Sequence, residues 1–327
     1  MDMEQKQTVK SFLENKVASL HAMVIGDVML DRYFYGDVSR ISPEAPVPVN
    51  AVDKKQDTLG GAANVAHNLA RLGCQTYLAG FIGDDHHGRL LLRKMKEFGI
   101  DGSSLVKGRE KTTTKIRILG GHQQMLRLDF EETTPISEAA AEQLLERLRE
   151  HLRSGLDVVI ISDYHKGVCN EQVCQNAITM AHEAGIPVFV DPKGVKWQCY
   201  SGADYITPNV KETGVMIGKS LENEDEVLRS AAQAITDQYR IPHVVITRSE
   251  KGMSIFEPEG ETHIRTVAKE VFDVSGAGDT VIATLAAGIA GHLPSHDAAN
   301  LANFAAGIGV GHVGTYAVSR EEILEVL

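Results

Sequence analysis

The sequence predicts an α/β fold with a doubly wound, mostly parallel sheet that is flanked by helices and carries a small β-sheet lid. Short apolar runs rich in Val and Ile alternate with longer segments of helical period, which is typical of repeated βα units. Most of these runs end in a polar residue, and two segments depart from the alternation. With 327 residues and 43% hydrophobic side chains, the chain can bury a large core.

The predicted strands are the apolar runs between helical segments. They span residues 22–26, 77–82, 158–161, 188–190, 205–206 and 244–246. The predicted helices span residues 61–72, 88–98, 137–152, 171–184, 222–239 and 277–290. The polar residues that follow strands are Asp27, Asp163, Asp191, Asn209 and Thr247. Because ligands bind outside the carboxyl ends of parallel strands, we expect these side chains to line one cleft.

The two irregular segments, residues 31–52 and 112–129, predict the lid. The first carries Tyr33, Phe34 and Tyr35 followed by three prolines, and the second alternates apolar and polar residues around Gly120-Gly121. Both patterns are typical of β-hairpins or edge strands. Inserted between parallel units, they are expected to pair as a small antiparallel sheet that covers the strand ends.

Charge and cysteine content argue against several classes of protein. The chain has 33 Lys plus Arg against 44 Asp plus Glu, a net charge of −11, which disfavours binding to nucleic acid or to an anionic membrane. Its cysteines are too few for a disulfide scaffold and form no C-x-x-C pair. They are Cys74, Cys169, Cys174 and Cys199. We therefore expect reduced thiols in a cytoplasmic protein.

The termini and the uncharged stretches predict neither export nor a membrane span. The polar, acidic N-terminus lacks the basic start and apolar centre of a signal peptide. Two stretches without formal charge, 280–296 and 298–319, approach the length of a membrane span. Pro294 and many Gly and Ala interrupt them, so we interpret both as buried helices packed close to the sheet.

The segment from Asp273 to Thr280, which contains Gly276-Ala277-Gly278-Asp279, predicts an anion site at the start of an Ala-rich helix. Glycines let a ligand approach the backbone, and the free N–H groups at a helix N-terminus favour negative charge. The sequence alone is consistent with two roles for Asp279. It either caps the helix, or it accepts the proton of a substrate hydroxyl while the glycine amides stabilise the transition state.

Two further segments offer hydrogen-bonding groups for a polyol. Gly60, Gly61 and Asn64 open a helix and either bind sugar hydroxyls or pack that helix tightly on the sheet. Asp27 and Asp31 follow the first strand, and each carboxylate can accept several hydroxyl hydrogen bonds. The alternative for this pair is a turn-forming Asp followed by a surface Asp.

Basic residues cluster in the second lid segment and after two strands. They are Lys115, Arg117, Arg127, Lys166, Lys193 and Lys196. Each alone is consistent with a solvated strand edge, whereas a set around one cleft suits a phosphorylated substrate. Residues 214–220 look like a nucleotide-binding P-loop, but three residues separate the glycines where that motif needs four.

Taken in order, Gly60-Gly61-x-x-Asn64, Asn209-x-x-Glu212 and Gly276-Ala-Gly278-Asp279 resemble the motifs of the ribokinase (PfkB) family of carbohydrate kinases along nearly the whole chain. The resemblance implies one ribokinase-like kinase domain over 1–327. Further motifs are similar to those of family members that act on heptose 7-phosphate, and they lie at residues 26–33, 39–48, 127–131, 162–167 and 191–194.

This resemblance implies ATP-dependent phosphorylation of the anomeric O1 of D-glycero-D-manno-heptose 7-phosphate to the 1,7-bisphosphate, in ADP-heptose biosynthesis for the lipopolysaccharide core. Asp279 would be the base, and Gly276, Ala277 and Gly278 the anion hole. ATP would bind with Mg²⁺ near Asn209 and Glu212, where Glu212 organises the metal through water. The nucleotide would also contact Thr247, Gly252 and Asn303.

On the sugar side, the resemblance assigns substrate hydroxyls to Asp27, Asp31, Gly60, Gly61 and Asn64. For the distal phosphate we predict Arg117, Arg127 and Lys193, although the sequence does not separate them from Lys115 or Lys166. Many family members have glycine at the position of Ser249, and this departure puts one backbone contact with the nucleotide in question.

Family lids often double as dimer contacts, so the resemblance also implies a homodimer formed through the lid. A monovalent cation such as K⁺ near Asp273 is left open, as is the question whether the kinase stands alone or belongs to a bifunctional protein. Two alternatives to the heptose 7-phosphate kinase are a kinase of another sugar or sugar phosphate and a non-catalytic protein that binds a sugar phosphate or a nucleotide.

Overall fold

A computed structural model describes residues 1–121, 123–268 and 271–327. Its strands are β1 (His21–Gly26), β2 (Val28–Ile41), β3 (Pro48–Gly61), β4 (Gln75–Gly83), β5 (Leu105–Arg109), β6 (Thr114–Gly120), β7 (Gln123–Phe130), β8 (Val158–Ser162), β9 (Val188–Asp191), β10 (Tyr205–Ile206), β11 (His243–Thr247), β12 (Met253–Glu257) and β13 (Gly260–Ile264). Its α-helices are α1 (Met3–Asn15), α2 (Ala62–Leu72), α3 (His86–Glu97), α4 (Glu138–Ser154), α5 (Glu171–Glu183), α6 (Val210–Ile217), α7 (Asp225–Tyr239), α8 (Ala277–Ala290), α9 (Ser295–Gly309) and α10 (Arg320–Val326).

The larger sheet confirms the predicted fold class. Its strand order is β13-β12-β11-β10-β9-β8-β1-β4-β5, and its pairs from β11 to β5 are parallel. Apolar clusters cover both faces of this sheet, as the continuous Val and Ile runs require. The six predicted strands are all present. The antiparallel hairpin β12–β13 and the edge strand β5 were not predicted, because their sequences are short and partly polar.

The predicted helices are present with small shifts at their ends. The 222–239 helix begins only at Asp225. The two uncharged stretches form largely buried helices as expected, but the second helix ends at Gly309 rather than continuing to residue 319, and Val313 beyond it is 57% exposed. There the chain turns at Gly314, which has a φ of 80°. No helix in the described part of the chain is long and apolar enough to cross a membrane.

The smaller sheet has the strand order β3-β2-β6-β7 and is built from two hairpins. The first hairpin is longer than the predicted segment 31–52, since β2 and β3 together extend over residues 28–61. The expectation of an antiparallel sheet is wrong at the centre, where β2 and β6 pair in parallel. Each of them continues from a parallel strand of the larger sheet, β1 or β5, so both run in the same direction. His122, inside the second predicted hairpin, lies outside the described residues.

Candidate active site

The carboxylate of Asp279 lies in the first turn of α8 and is only 2% exposed. Its Oδ2 accepts a hydrogen bond from Asn64 Nδ2 at 2.6 Å, and its Oδ1 accepts one from the Tyr164 hydroxyl at 2.5 Å. Burial raises the pKa of Asp279 to about 6, and these two donors partly offset the effect. The side chain is therefore a pre-positioned carboxylate that is ready to exchange a proton near neutral pH.

The two glycines before Asp279, Gly276 and Gly278, lie in different surroundings. Gly276 has a φ of 81°, and a Cβ there would lie 2.7 Å from Asn64 Nδ2. A Cβ on Gly278 would meet no atom within 4 Å, so this backbone faces open space. The amide of Ala277 donates to the carbonyl of Val274 at 3.2 Å, whereas among the described residues that of Gly278 has no backbone acceptor. The N-terminus of α8 thus presents a free N–H group beside Asp279.

A cavity of about 440 Å³ opens on the other side of this helix terminus. It is bounded by the ends of β11 and β12 and by α8 and α9. Five residues that were predicted for the nucleotide or anion site line it: Thr247, Gly252, Ala277, Gly278 and Asn303. Gly252 has a φ of 85°, and any Cβ there would overlap the carbonyl oxygen of Ile264. The remaining walls are mostly apolar, which suits a flat aromatic ring.

Asn209 and Glu212 form a capping box at the start of α6. Asn209 Oδ1 accepts from the Glu212 amide at 2.8 Å, and Glu212 Oε2 accepts from the Asn209 amide at 3.0 Å. The other carboxylate oxygen, Oε1, accepts from Lys193 Nζ at 2.6 Å. The predicted N-x-x-E motif therefore has a local structural role as well, and Lys193 is paired within the same group.

The predicted sugar-side residues meet where β2 and β3 join the larger sheet. Asp31 is 3% exposed, and its Oδ1 accepts from Arg117 Nη1 at 2.5 Å. A Cβ on Gly60 would overlap the Asp31 carboxylate, and one on Gly61 would lie 2.5 Å from the carbonyl oxygen of Asp27. Both glycines are required by close packing, Gly60 against Asp31 and Gly61 against the backbone of Asp27.

The predicted phosphate-binding residues do not form one set. Arg117 and Arg127 lie opposite each other in the β6–β7 pair. Arg117 pairs with Asp31, and Arg127 makes two hydrogen bonds of 2.9 Å to Asp129. Lys193 has a different partner, since it pairs with Glu212. The two arginines therefore belong to the smaller sheet, and Lys193 lies in the loop that follows β9 of the larger one.

Asp27 holds a loop rather than presenting free oxygens. Its Oδ2 accepts from the backbone amides of Tyr164 and Lys166 at 2.9 and 2.8 Å, and its Oδ1 accepts from that of Val168 at 3.1 Å. The side chain is 1% exposed. The predicted role of Asp27 as an acceptor for substrate hydroxyls would have to compete with these three bonds.

Three further side chains border Asp279 or Asp27, and no catalytic or ligand-binding role was predicted for any of them. Tyr164 contacts the predicted base directly. Asp163 has its pKa raised to about 7 by burial and by the neighbouring Asp27, and it accepts hydrogen bonds from the His165 amide and the Tyr200 hydroxyl. The third, Asp191, ends β9, and burial beside the carboxylates of Asp279 and Glu212 raises its pKa.

The sequence indicated the location of only some of these three side chains. The positions of Asp163 and Asp191 directly after strands marked them as residues of the cleft. The contact of Tyr164 with Asp279 spans 115 residues, and no local pattern reports such a distance. Asp27, Asp163 and Cys169 place ligand atoms within 4.8 Å of one another, but the carboxylate oxygens of both aspartates already accept hydrogen bonds, from loop amides and, at Asp163 Oδ2, from the Tyr200 hydroxyl.

Ser249, where many family members have glycine, has a backbone conformation that favours glycine. Ser249 adopts a φ of 53°, in the left-handed region that favours glycine. It lines the 440 Å³ cavity together with Gly252. The backbone turn at this loop is therefore retained with serine, at some cost in conformational strain.

A model of the pfkB family of carbohydrate kinases matches residues 19–322. The chain belongs to this family. The match covers both sheets and the Gly276–Asp279 loop, so the resemblance inferred from the motifs is confirmed. As a pfkB-family carbohydrate kinase, the protein has its buried carboxylate and its free helix N-terminus in one place, as phosphoryl transfer to a sugar hydroxyl requires.

Among curated proteins, this pfkB-family chain is similar to two that carry the name bifunctional protein HldE. It is 45% identical over 306 residues to the protein of Methylobacillus flagellatus, with 93% of this chain and 62% of the relative covered. It is 44% identical over 325 residues to that of Syntrophotalea carbinolica, with 98% and 66% covered. The chain therefore spans slightly less than two thirds of the length of these relatives.

Solved structures support the ribokinase-like fold. The structure of Arabidopsis thaliana ribokinase complexed with ribose and ATP gives a TM-score of 0.74 at 19% identity and covers 94% of this chain and 98% of that chain. The structure of Escherichia coli phosphofructokinase-2 in complex with potassium gives 0.77 at 19% identity, with the same coverage. At these identities the likeness establishes the architecture of this pfkB-family protein.

The left-handed conformation of Ser249 leads to a stability prediction. Replacing Ser249 with Gly removes the Cβ strain, and we expect the free energy of unfolding to rise by about 0.5–1 kcal/mol. Urea denaturation of the two proteins measures the difference. Ser249→Ala is the matched control, because it removes the hydroxyl and keeps the Cβ. A gain in Ser249→Ala that equals the gain in Ser249→Gly would contradict the role of the backbone.

Proposed function

We propose that this chain is an ATP-dependent kinase that phosphorylates the anomeric O1 of D-glycero-D-manno-heptose 7-phosphate to the 1,7-bisphosphate, a step of ADP-heptose biosynthesis for the lipopolysaccharide core. The observation that carries the proposal is the buried carboxylate of Asp279, held between Asn64 and Tyr164 at the free N-terminus of α8. Similarity to the HldE proteins at 44–45% identity supports the heptose substrate.

In the proposed reaction, Asp279 accepts the proton of the O1 hydroxyl as O1 attacks the γ-phosphorus of ATP. The bond between the γ-phosphorus and the β–γ bridging oxygen breaks, and ADP leaves with that oxygen. The amide of Gly278 and the N-terminus of α8 stabilise the negative charge on the transferring group. Asp279 then releases its proton to solvent. With a pKa of about 6, it is mostly ionised at pH 7, as a base must be.

ATP occupies the 440 Å³ cavity in this proposal, with its adenine near Asn303 and its phosphates directed toward Gly278. Asn303 Nδ2 donates to the carbonyl of Arg265 at 2.8 Å. This bond fixes the side-chain amide and leaves its oxygen available to the adenine. Mg²⁺ takes oxygen ligands and keeps several waters, so the Glu212 carboxylate suits a hydrated ion. Bound Mg²⁺ would neutralise charge on the phosphates.

The distal phosphate of the sugar is held by basic residues of the smaller sheet. Arg117 and Arg127 face each other across β6 and β7. Burial lowers the pKa of Lys115, and the nearby charges of Lys166 and Arg127 contribute to this shift. A phosphate dianion would relieve this crowding of positive charge. The pairing of Lys193 with Glu212 favours a role for Lys193 at the phosphates of ATP instead.

Closure of the smaller sheet as a lid and dimerisation through it complete the proposal. The outer strand β7 is exposed along its whole length and carries apolar side chains that are 39–50% exposed: Met125, Leu126, Leu128 and Phe130. An apolar edge strand of this kind favours pairing with another strand. We place the dimer contact on this strand.

The direct test compares three acceptors side by side with MgATP: heptose 7-phosphate, ribose and fructose 6-phosphate. The expected result is transfer to the heptose alone, with a new anomeric phosphate in the phosphorus NMR spectrum. Turnover of another sugar would keep the kinase and reject the heptose substrate. Protein that binds ATP and transfers phosphate to none of the three would favour the non-catalytic alternative.

Asp279→Asn removes the proposed base at nearly constant size. We expect kcat to fall by about 10²–10⁴-fold, whereas the Kd for ATP and for the sugar stays close to wild type. Isothermal calorimetry and initial rates measure the two quantities. Near wild-type turnover in the variant would exclude Asp279 as the base.

The pKa of Asp279 sets the expected pH dependence. Because the carboxylate is protonated below about pH 6, kcat should fall about tenfold per pH unit below that value and level off above pH 7. The rates are measured at saturating sugar phosphate, because a phosphate monoester also titrates near pH 6 and would alter binding. A kcat that stays constant from pH 7 to pH 5 would contradict the assignment.

Proposed activation by K⁺ near Asp273 has a separate test. The Asp273 carboxylate accepts from the amides of Ser275 and Gly314, both at 2.9 Å, and this links it to the loop before Asp279. We expect turnover to rise when KCl replaces tetramethylammonium chloride at constant ionic strength. Equal turnover in both salts would remove the monovalent cation from the proposal.

The dimer prediction concerns two apolar residues of β7. Leu126→Lys combined with Leu128→Lys should convert a wild-type dimer to a monomer, measured by light scattering after gel filtration. Val326→Lys on α10 is the matched control, because Val326 is 50% exposed and lies outside the smaller sheet. A wild-type monomer, or a dimer that survives both substitutions, would reject this contact.

A further inference from the structure

We propose that Tyr164 is a positioning residue for the base, and that Asp27 acts as the clamp that holds Tyr164 in place. The inference rests on the proposed function, since it concerns the orientation of Asp279 during proton transfer. It gives a role to two groups that the proposed reaction itself does not use: the Tyr164 hydroxyl and the Asp27 carboxylate.

Tyr164 contacts the proposed base directly. The Tyr164 hydroxyl donates to Asp279 Oδ1 at 2.5 Å, while Asn64 donates to Oδ2 at 2.6 Å. One donor on each oxygen fixes the rotation of the carboxylate about its side-chain bonds. Because each oxygen has a second lone pair, the group can still accept a substrate hydroxyl in a defined direction. Two donors therefore orient the base without blocking it.

The loop that carries Tyr164 has a strained backbone conformation. The next residue, His165, adopts a φ of 59°, which is unfavourable for a side chain with a Cβ. Asp163 Oδ1 accepts from the His165 amide at 2.6 Å. Asp27 accepts three further amides, from Tyr164, Lys166 and Val168. Strained backbone persists where surrounding contacts over-determine it, and such strain concentrates at functional sites.

This loop is anchored on both sides. Asp27 follows β1 directly, and its carboxylate is 1% exposed. On the other side, Lys166 Nζ pairs with Glu131 Oε2 at 2.8 Å, and Arg109 donates to the Lys166 carbonyl at 2.5 Å. The loop therefore has little freedom to withdraw the Tyr164 hydroxyl from Asp279.

The charges around Asp279 make this donor important. Asp31 is a nearby negative charge and Lys193 a nearby positive charge, and Asp191 is a further carboxyl group beside Asp279 whose own pKa is raised by burial. Burial and the charge of Asp31 favour the protonated form of Asp279. The hydrogen bonds from Asn64 and Tyr164 favour the ionised form. Loss of the Tyr164 hydroxyl should therefore leave less of the base ionised at a given pH.

The experiment compares the pH dependence of kcat in wild type and Tyr164→Phe at saturating MgATP and heptose 7-phosphate. We expect the acidic limb to move up by about one pH unit, with the KM values for both substrates unchanged. Both proteins use the same substrate, so its own titration cancels in the comparison. Tyr316→Phe is the matched control: it removes another tyrosine–carboxylate bond, of 2.6 Å to Glu322, and should leave the limb in place.

A direct titration supplies a readout that does not need turnover. Carbon-13 NMR of protein labelled at the aspartate carboxyl carbons, with the Asp279 signal identified by its loss in Asp279→Asn, should show the same upward shift of pKa in Tyr164→Phe. Asp27→Asn weakens the clamp and should shift the limb in the same direction. The double variant Tyr164→Phe/Asp27→Asn should shift it no further than Tyr164→Phe alone.

The outcomes separate this inference from the proposed function. An active wild type with an unchanged acidic limb and an unchanged Asp279 titration in Tyr164→Phe overturns the positioning role. A raised KM for the sugar with an unmoved limb also overturns it, because Tyr164 would then be a substrate contact. A wild type that transfers phosphate to no sugar rejects the proposed function, and the carboxyl titration still decides whether Tyr164 acts on Asp279.

Discussion

The burial of one carboxylate determines the arrangement of this site. Asp279 loses its hydration at the N-terminus of α8, a change that is unfavourable for a charged group unless donors replace the water. Those donors come from distant parts of the chain, since Asn64 is 215 residues away and Tyr164 is 115 residues away. The loop before α8, the start of α2 and the loop after β8 must therefore meet at one point. The close contacts of Gly276 with Asn64 and of Gly60 with Asp31 follow from that convergence.

The smaller sheet contributes a different electrostatic environment. Asp31 and Arg117 lie on neighbouring parallel strands and pair at 2.5 Å, with side-chain exposures of 5% and 17%. Arg117 also lies over the ring of Tyr33, with its guanidinium carbon 5.1 Å from the centroid. In such a pair, each group depends on the other to offset its lost hydration. The polar residues beside Asp279 are thus ordered by contacts within the protein, and a sugar that binds there, as proposed, would meet oriented partners instead of flexible ones.

The sequence was informative wherever a local pattern carried the structure. Strand runs, helix periods and the Gly276–Asp279 loop each depend on neighbouring residues, and all of them are present. The parallel junction of β2 and β6 was missed, because strand direction between two hairpins depends on where each leaves the larger sheet. Asp27 and Lys193 were predicted as ligand contacts from their chemistry. In the structure they also bond to the amides of residues 164, 166 and 168 and to the Glu212 carboxylate, and these partners depend on tertiary contacts that no spacing encodes.

The packing of α8 against α9 also determines which part of the molecule can change position. A Cβ on Gly288 would lie 2.8 Å from the Cβ of Ala298, and α8 is buried continuously from Asp279 to Gly288. A helix enclosed by small side chains at this distance has no room to slide or rotate, because interiors packed at this density resist compression. The proposed base, Asp279, is therefore carried by a rigid part of the molecule. The closure proposed for the smaller sheet would leave this carboxylate in place, so the part proposed to move and the part proposed to react would be separate.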